Sequence, residues 1–435
     1  MIGTLLLGFG LLAVVGLGVA LLEALIRQAE LGAALVLGLM VLQAVLIDRV
    51  PALTLPGGIR VVPYDVVFAL LLAAGVARLL RMRRFSALQR CVVLLGVMLL
   101  LAVVRGMMAF GVEHSVAEFR LLFAFAGGTL YFATFPPSTL RNDRIGRIWL
   151  ATSIPMMVLV CLRWLANFAG IDLGVPAEQF GADAAIRAID GPYTFFLAHA
   201  AVLTVPFWGL RDERARRLTR LGVVLLLFVV VLNRRTVWLA LLAGVAVVML
   251  RNRRLGRRAV VMFAGAAAVT AGVYLALPGL GRESGPVTSS GTGTLDWRVE
   301  GWEGLLATWS KDPVSWLIGQ PFGSGFVRRV EGMEVVLEAH NYYLTTLLRT
   351  GTVGLLALIV LTAGPLRVLW RAPARGSGEL LGVDVFPALL VMQLVWLVTW
   401  TPGIEQGIVT GLAVALATAR VRSRQAQNAR RLVPR

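Results

Sequence analysis

The sequence is poor in the residues that build disulfide frameworks and metal sites. Its 435 residues include only two cysteines and three histidines. Cys91 and Cys161 fall within or beside different apolar runs, which argues against a disulfide framework or a cysteine metal site. The acidic residues form no D-x-D motif and no cluster with histidine at ligand spacing. We therefore predict metal-independent chemistry without a cofactor.

Acidic residues are also scarce, because 24 of them face 42 lysines and arginines and leave a net charge of +18. The basic excess lies in short clusters between apolar runs, which is typical of cytoplasmic loops and argues against nucleic-acid binding. These clusters are 81–90, 141–147, 211–220, 251–258 and the tail from Arg420.

Long apolar runs dominate the remainder, with 58% hydrophobic residues and a mean hydropathy of +0.79. The pattern predicts an all-α polytopic membrane protein with about twelve (12 or 13) transmembrane helices. The runs lie near 4–24, 31–47, 61–80, 91–104, 119–133, 147–169, 193–210, 219–233, 236–250, 259–277, 341–370, 383–400 and 403–419.

Alternation from the basic clusters predicts which segments lie outside the cytoplasm. Residues 105–118, 170–192, 233–236 and 278–340 would face outward. We divide the chain into helices 1 to about 10 (1–277), a large outer loop (278–340), C-terminal helices (341–419) and a basic cytoplasmic tail (420–435).

Two terminal features need separate interpretation. The first run lacks a basic flank and an A-x-A site, so we read it as a membrane anchor and leave the side of the N-terminus open. The final "LVPR" (432–435) matches a thrombin recognition sequence and is interpreted as an engineering remnant.

The large loop combines several kinds of segment. Residues 281–294 are polar and flexible, 295–309 predict an amphipathic helix on the membrane surface, and 312–326 predict a glycine-rich turn region. Its tryptophans fit an interfacial belt better than sugar stacking. Beyond the loop, "TPGIEQG" (401–407) breaks the last apolar region and predicts a tight outer turn.

Arginines on the outer side oppose the usual charge bias and are candidates for phosphate binding, since a guanidinium offers paired, permanently charged donors. The alternative is snorkelling to lipid headgroups. For the Arg234 and Arg235 pair we favour function, because so short an outer turn has little reason to carry two charges. The candidates are Arg105, Arg187, Arg234, Arg235 and Arg298.

His340 lies directly before an apolar helical run. Its imidazole suits proton transfer from a hydroxyl, although a histidine at a helix boundary is often only a cap or interface residue. Asn341 is a candidate N-cap, and Glu338 could orient the imidazole or act as the base itself. His114 and His199 have no motif around them and are interpreted as structural.

Several stretches resemble the O-antigen ligase and O-antigen polymerase superfamily, in the family's order. The most specific is "EAHNYYLTTLLRTGTVGLL" (338–356), with its His-Asn pair and two spaced glycines, Gly351 and Gly354. The first 180 residues match only as a hydropathy pattern. The other stretches are "RAIDG" (187–191), "NRRTVWLALLAG" (233–244), "WRVEGWEGLL" (297–306) and "LIGQPFGSGF" (317–326).

The resemblance implies a GT-C type glycosyltransferase in the bacterial inner membrane, with its active site facing the periplasm or outside. It would transfer a glycan from undecaprenyl pyrophosphate to an acceptor hydroxyl, on a lipid A-core or another glycan. His340 would activate the acceptor, while Arg187 and Arg235 would hold the pyrophosphate. Arg234 replaces the serine of the family's usual Ser-Arg pair, which leaves the division of labour between Arg234 and Arg235 open.

Three alternatives remain open from the sequence. Within the family, the chain could be a ligase, a repeat-unit polymerase or a protein-glycosylating relative. From a different class, it could be a polyprenyl-phosphate transporter that uses the broken segment around Glu405 as its pathway. The absence of an inverted repeat and the His-Asn boundary argue against the transporter.

Overall fold

The computed structural model of the protein describes residues 16–46, 51–54, 60–171, 188–208, 210–252, 265, 294–330, 332–336, 338–372 and 379–431. The described part is mostly helical, with two short antiparallel hairpins. Arg187, most of the apolar run at 259–277 and most of the polar stretch at 281–294 lie outside the described residues.

The helices largely follow the predicted apolar runs. Residues 16–27 are also helical and lie before α1. Their bounds are α1 Ala29–Leu46, α2 Pro63–Arg81, α3 Ala87–Phe110, α4 Val112–Ala133, α5 Asn142–Phe168, α6 Gly191–Thr204, α7 Glu213–Val231, α8 Arg235–Arg251, α9 Thr294–Trp309, α10 Pro313–Ile318, α11 Tyr342–Trp370, α12 Phe386–Leu397 and α13 Gln406–Arg431. The hairpins pair β1 Leu53–Thr54 with β2 Arg60–Val61, and β3 Val327–Val330 with β4 Met333–Val336.

Among the described residues, six helices are long and apolar enough to cross a membrane: α1, α2, α3, α4, α5 and α11. This confirms a helical, multi-spanning membrane protein. Of the others, α6, α8 and α12 are shorter than 18 residues and α7 opens with a charged turn, "ERARR". The total of twelve or thirteen spans therefore stays a prediction.

Helix α4 lies at the centre and packs against α2, α3 and α13. Its close approach to α13 depends on glycine. A methyl group added at Gly407 would lie 2.9 Å from the carbonyl oxygen of Phe125, and one at Gly411 would lie 2.6 Å from that of Thr129. Small residues that let two backbones approach in this way are typical of helix pairs in membranes.

The basic clusters gather at one end of the helices. Arg214 donates to Asp143 at 2.6 Å, which joins the clusters at 141–147 and 211–220. Arg422 of the C-terminal tail donates to the carbonyl oxygen of Arg84 at 3.0 Å. This grouping of positive charge is what the positive-inside interpretation requires.

The opposite end carries the large loop. Arg105 donates to the carbonyl oxygen of Gly319 at 2.9 Å. The backbone N–H of Phe322 donates to the carbonyl oxygen of Ala102 at 3.2 Å. Residues 105–118 do not form the expected loop, because α3 continues to Phe110 and α4 begins at Val112. Their position on the outer side stays a prediction. Arg105 thus lies on a helix beside the loop and not at the start of one.

Two tryptophans of the large loop stabilise its interior. Trp302 of α9 donates to the carbonyl oxygen of Ala339 at 2.6 Å, and Trp309 donates to that of Ser315 at 2.9 Å. Both rings pack against a small buried cluster of Leu305, Phe326, Ala339, Leu344 and Leu348. The predicted helix at 295–309 is confirmed, and its apolar face covers this cluster. The structure thus gives these two rings a packing role.

The segment after α9 is more regular than predicted. Residues 312–326 were expected to form a turn region, but Pro313–Ile318 is helical and Asp312 caps it, accepting from Val314 N at 3.0 Å. The β3–β4 hairpin that follows was not predicted, because its four-residue strands are too short to show a clear alternation.

A buried arginine fixes the turn at 319–326. Arg349 of α11 is fully buried and pairs with the carboxylate of Glu118 on α4. It also donates to the carbonyl oxygens of Pro321 and Gly325, at 3.0 and 2.7 Å, and to the Ser324 hydroxyl at 2.6 Å. One guanidinium thereby connects two helices and the loop.

Glycine allows the short helix α10 to rest directly on α11. Gly351 interrupts α11 with a φ of 66°, and a methyl group there would lie 2.2 Å from the carbonyl oxygen of Leu317. At Gly319, where φ is 74°, it would lie 2.3 Å from the carbonyl carbon of Arg349. Gly351, one of the two motif glycines, is therefore required by backbone conformation and by close contact.

We predict that Arg349→Met lowers the free energy of unfolding by about 3–5 kcal/mol, because it leaves a largely buried Glu118 carboxylate without its partner. Thermal unfolding in detergent, followed by tryptophan fluorescence, measures the change. Adding Glu118→Gln should recover part of the loss.

The matched control is Arg27→Ala, which removes an exposed ion pair with Glu23 and should change the free energy by less than about 1 kcal/mol. Equal effects of Arg349→Met and Arg27→Ala would contradict the assignment.

Candidate functional site

His340 lies at the junction between the large loop and α11. Its φ of 47° is in the left-handed region, which residues other than glycine rarely adopt. Asn341 follows as the N-cap, and its side chain accepts from the Leu344 backbone N–H at 3.0 Å. The predicted cap is thus confirmed, and it fixes the backbone beside the histidine.

The imidazole of His340 is held in a partly buried environment. Its ring lies edge-on to Trp400, with 5.7 Å between ring centroids. Its Nδ1 atom is buried and has no hydrogen-bond partner within the described part of the chain. Burial, together with the charges of Arg298 and Arg328, lowers the pKa of His340 to about 4. The imidazole is therefore neutral at physiological pH and can accept a proton.

Two arginines surround this histidine. Arg298 of α9 donates to the carbonyl oxygen of Thr399 at 3.3 Å. Arg328 of β3 is only 5% exposed and donates to the carbonyl oxygen of Phe326 at 3.1 Å. Burial lowers the pKa of Arg328. Together they create a positive potential beside a neutral base, which suits an anionic substrate.

Arg328 was missed by sequence reasoning. The signal was present, because "VRRV" (327–330) places two arginines in a segment predicted to face outward. The same argument that selected Arg298 applies to Arg328. The hairpin that directs it towards His340 was not predicted, so its position could not be inferred.

Glu338 lies close to the same segment. Its side chain makes a hydrogen bond with Thr401, which lowers its pKa. Part of the Glu338 side chain is exposed, but burial of the carboxyl among protein atoms raises its pKa. The negative charge of Glu118 raises it further. The net pKa is raised, so this carboxyl is a better proton acceptor than an ordinary glutamate.

The Arg234 side chain faces the end of the RAIDG motif. It donates to the carbonyl oxygen of Ile189 at 3.2 Å and lies 3.8 Å from the carboxylate of Asp190. Gly191, the next residue, packs against Trp400, since an added methyl would lie 3.1 Å from that ring. Trp400 thus contacts both His340 and the segment at 189–191, to which Arg234 is hydrogen-bonded.

Arg235 is exposed on the first turn of α8. Arg234 and Arg235 therefore differ in exposure, since Arg234 is partly buried and Arg235 is exposed. Asn233, just before them, also has a positive φ, of 50°. Like His340, it marks a tightly turned backbone directly before a helix.

The segment between α12 and α13 is a further part of the site, which the sequence indicated only as a tight outer turn or as the pathway of a transporter. Residues 402–405 are buried, and Glu405 is fully buried. Thr399, Trp400 and Thr401 contact Arg298, His340 and Glu338 respectively, so this segment forms one wall of the site.

The other two histidines differ sharply from His340. His199 is fully buried in α6, with its ring 4.2 Å from that of Phe195, and His114 is exposed in the first turn of α4. Within the residues that the structure describes, no three histidine, cysteine or acidic side chains are grouped as for a metal ion.

These observations define a helical, multi-spanning membrane protein with a histidine and several arginines at one end of its helices. Residues 221–359 match the family model described as O-antigen ligase. The match confirms the resemblance to the O-antigen ligase and polymerase superfamily over a segment that contains Arg234, Arg235, Arg298 and His340. It indicates a ligase-like or polymerase-like membrane glycosyltransferase. No curated protein gives a significant match to the chain.

The three histidines make the protonation state of His340 directly measurable. We expect diethyl pyrocarbonate, which acylates neutral imidazole, to label His340 at a rate that stays constant from pH 8 to pH 5 and falls only towards pH 4. The sign follows from the lowered pKa, since His340 becomes protonated only near that value. Peptide mass spectrometry after short exposures measures the rate.

Exposed His114 serves as the reactive reference, and fully buried His199 as the protected one. A decline of His340 labelling around pH 6.5, the ordinary histidine value, would show that the site does not depress its pKa.

Proposed function

We propose that the protein is a metal-independent, inverting glycosyltransferase. It transfers a glycan from undecaprenyl pyrophosphate to an acceptor hydroxyl on the outer side of the bacterial inner membrane. The acceptor in this proposal is a lipid A-core, which makes the protein a ligase. The observation that carries the proposal is the neutral His340, within reach of the charges of Arg298 and Arg328, inside the segment that matches the O-antigen ligase family.

The chemistry suits these side chains. A sugar on pyrophosphate is already activated, so the enzyme needs to remove one acceptor proton and stabilise charge on the departing phosphate. His340 takes the proton as the acceptor oxygen bonds to the anomeric carbon, while the bond from that carbon to the pyrophosphate oxygen breaks. Attack from the face opposite the pyrophosphate inverts the anomeric centre.

Arginines hold the leaving group in this proposal. Arg235 and Arg187 are the principal pyrophosphate ligands, with Arg234 and Arg105 as further candidates and Arg298 in support. The exposed position of Arg235 favours it over Arg234, whose guanidinium faces Asp190 and the carbonyl oxygen of Ile189. Arg105 is the weakest candidate, because its guanidinium donates to Gly319 of the loop.

A polymerase that joins repeat units on the carrier uses the same chemistry. One assay separates the two: purified protein in detergent with carrier-linked glycan, with or without lipid A-core, and with a chelator of divalent ions. Transfer to the core lipid supports the ligase. Lengthening of the carrier-linked glycan without added acceptor supports the polymerase.

A transporter of polyprenyl phosphates is the candidate from a different class. The fully buried Glu405 between α12 and α13 favours it, because broken helices with buried carboxyls are typical of transport pathways. The two classes differ in their need for His340, which a transporter does not require for chemistry.

We predict that His340→Ala lowers turnover by at least about a hundredfold, since it removes the proton acceptor, and leaves carrier binding near the wild-type level. Product formation and binding of the labelled carrier are measured on the same preparation. His114→Ala is the matched control and should retain full activity. Transport with normal efficiency by the His340→Ala protein would support the transporter and contradict the transferase.

The arginine assignment has its own test. Arg235→Ala should cost about 3 kcal/mol of transition-state stabilisation, because it removes a charged donor from the leaving phosphate. Arg234→Ala should cost less in turnover and more in thermal stability, because it loses its contacts with Ile189 and Asp190. If folded Arg187→Ala and Arg235→Ala proteins turn over at wild-type rates, the pyrophosphate assignment is wrong.

A further inference from the structure

One side chain beside His340 comes from a distant part of the chain. Trp400 follows α12 and lies beyond the segment 221–359 that matches the family. Its ring is half-buried and meets the His340 ring edge-on, at 5.7 Å between centroids and an interplanar angle of 61°. Within the described residues it supplies the aromatic contact of this histidine.

Trp400 is the last ring of a rigid stack. It lies parallel to Trp396, at 5.2 Å and 6°, and Trp396 lies parallel to Phe195, at 4.5 Å and 9°. Trp396 and Phe195 are both fully buried. Gly191 allows the stack to lie against α6, since an added methyl would come within 3.1 Å of both tryptophan rings.

Three hydrogen bonds hold Thr399 and Thr401, the residues on either side of Trp400. Arg298 donates to the carbonyl oxygen of Thr399 at 3.3 Å, and Trp396 donates to that of Thr401 at 3.2 Å. Glu338 also makes a hydrogen bond with Thr401. Residues 399–401 therefore have little freedom, and the orientation of Trp400 is fixed before any substrate binds.

We propose that Trp400 is a positioning residue for His340. It limits the rotation of the imidazole about its side-chain bonds and keeps water from one side of the ring. One face of Trp400 is covered by Trp396. The inference rests on the proposed function for its catalytic consequence, although the contact itself does not.

The position of the His340 imidazole matters in a glycosyl transfer that proceeds by a single displacement. The base must meet the acceptor proton at hydrogen-bond distance while the acceptor oxygen approaches the anomeric carbon in line. A misplacement of about 1 Å can cost on the order of a hundredfold in rate. His340 has a left-handed backbone, and its Nδ1 atom has no hydrogen-bond partner within the described residues, so the imidazole needs an external support to hold that geometry.

The experiment compares Trp400→Ala, Trp400→Leu and Trp400→Phe in the full-length protein. Its first measurement is the labelling of His340 by diethyl pyrocarbonate against pH, with His114 and His199 as internal references. In Trp400→Ala and Trp400→Leu we expect labelling to increase several-fold at pH 8. The pH below which labelling decreases should rise towards 6.5, because water then reaches the imidazole. Trp400→Phe keeps an aromatic edge and should stay close to wild type.

The charges of Arg298 and Arg328 act on His340, and both arginines remain in these variants. Trp370→Ala is the matched control, because this half-exposed tryptophan lies at the other end of α11. It should leave His340 labelling unchanged.

Turnover supplies the second measurement. Trp400→Ala and Trp400→Leu should lower kcat by about ten- to a hundredfold with little change in KM, whereas Trp400→Phe should recover most of the loss. A general loss of folding would lower the amount of active protein and expose His199 to labelling. Labelling of His199 therefore identifies a variant that has unfolded. If Trp400→Ala does not fold, the Trp400→Leu protein gives the same comparison.

The possible failures are distinguishable. Unchanged His340 labelling in a folded Trp400→Leu protein overturns the positioning role, whatever the activity. Changed labelling with unchanged kcat also overturns it, because the orientation of His340 would then not matter to turnover. Full activity in the His340→Ala protein would overturn the proposed function itself, while the labelling would still report the Trp400 contact.

Discussion

The buried pair of Arg349 and Glu118 is the interaction on which the arrangement of the site depends. A guanidinium with no exposed surface is costly unless its charge and donors are satisfied, and Glu118 with the loop carbonyls of Pro321 and Gly325 satisfies them. This requirement fixes the turn at 319–326 against α4 and α11. Since α11 begins immediately after His340 and its Asn341 cap, the position of the histidine follows from the same interaction.

The electrostatics of the site separate two tasks among basic side chains. The arginines keep a positive potential, and their charge together with burial keeps the imidazole of His340 neutral. A protonated histidine in the same place would add attraction for an anion but could not accept a proton. The arrangement therefore combines anion attraction with a free base.

Local features of the fold could be predicted from the sequence, and long-range ones could not. The helices at 295–309 and from Tyr342, and the cap at Asn341, follow from spacing and capping chemistry, which act within one turn. Arg328 and Trp400 were missed because their contacts with His340 depend on a short hairpin and on a segment 60 residues away. Arg105 was placed in a loop because a charged residue near the end of an apolar run resembles a boundary, whereas α3 continues for five more residues.

The wall formed by residues 399–401 also has a consequence for biogenesis. These residues emerge from the ribosome after His340 and the arginines, and they reach His340 only when α12 and α13 have packed against the earlier helices. A nascent or truncated chain without this helical hairpin carries the histidine and the arginines but lacks Trp400, Thr399 and Thr401 beside them. Completion of the site is thereby tied to insertion of the last hairpin, so synthesis itself delays activity until the whole bundle is assembled.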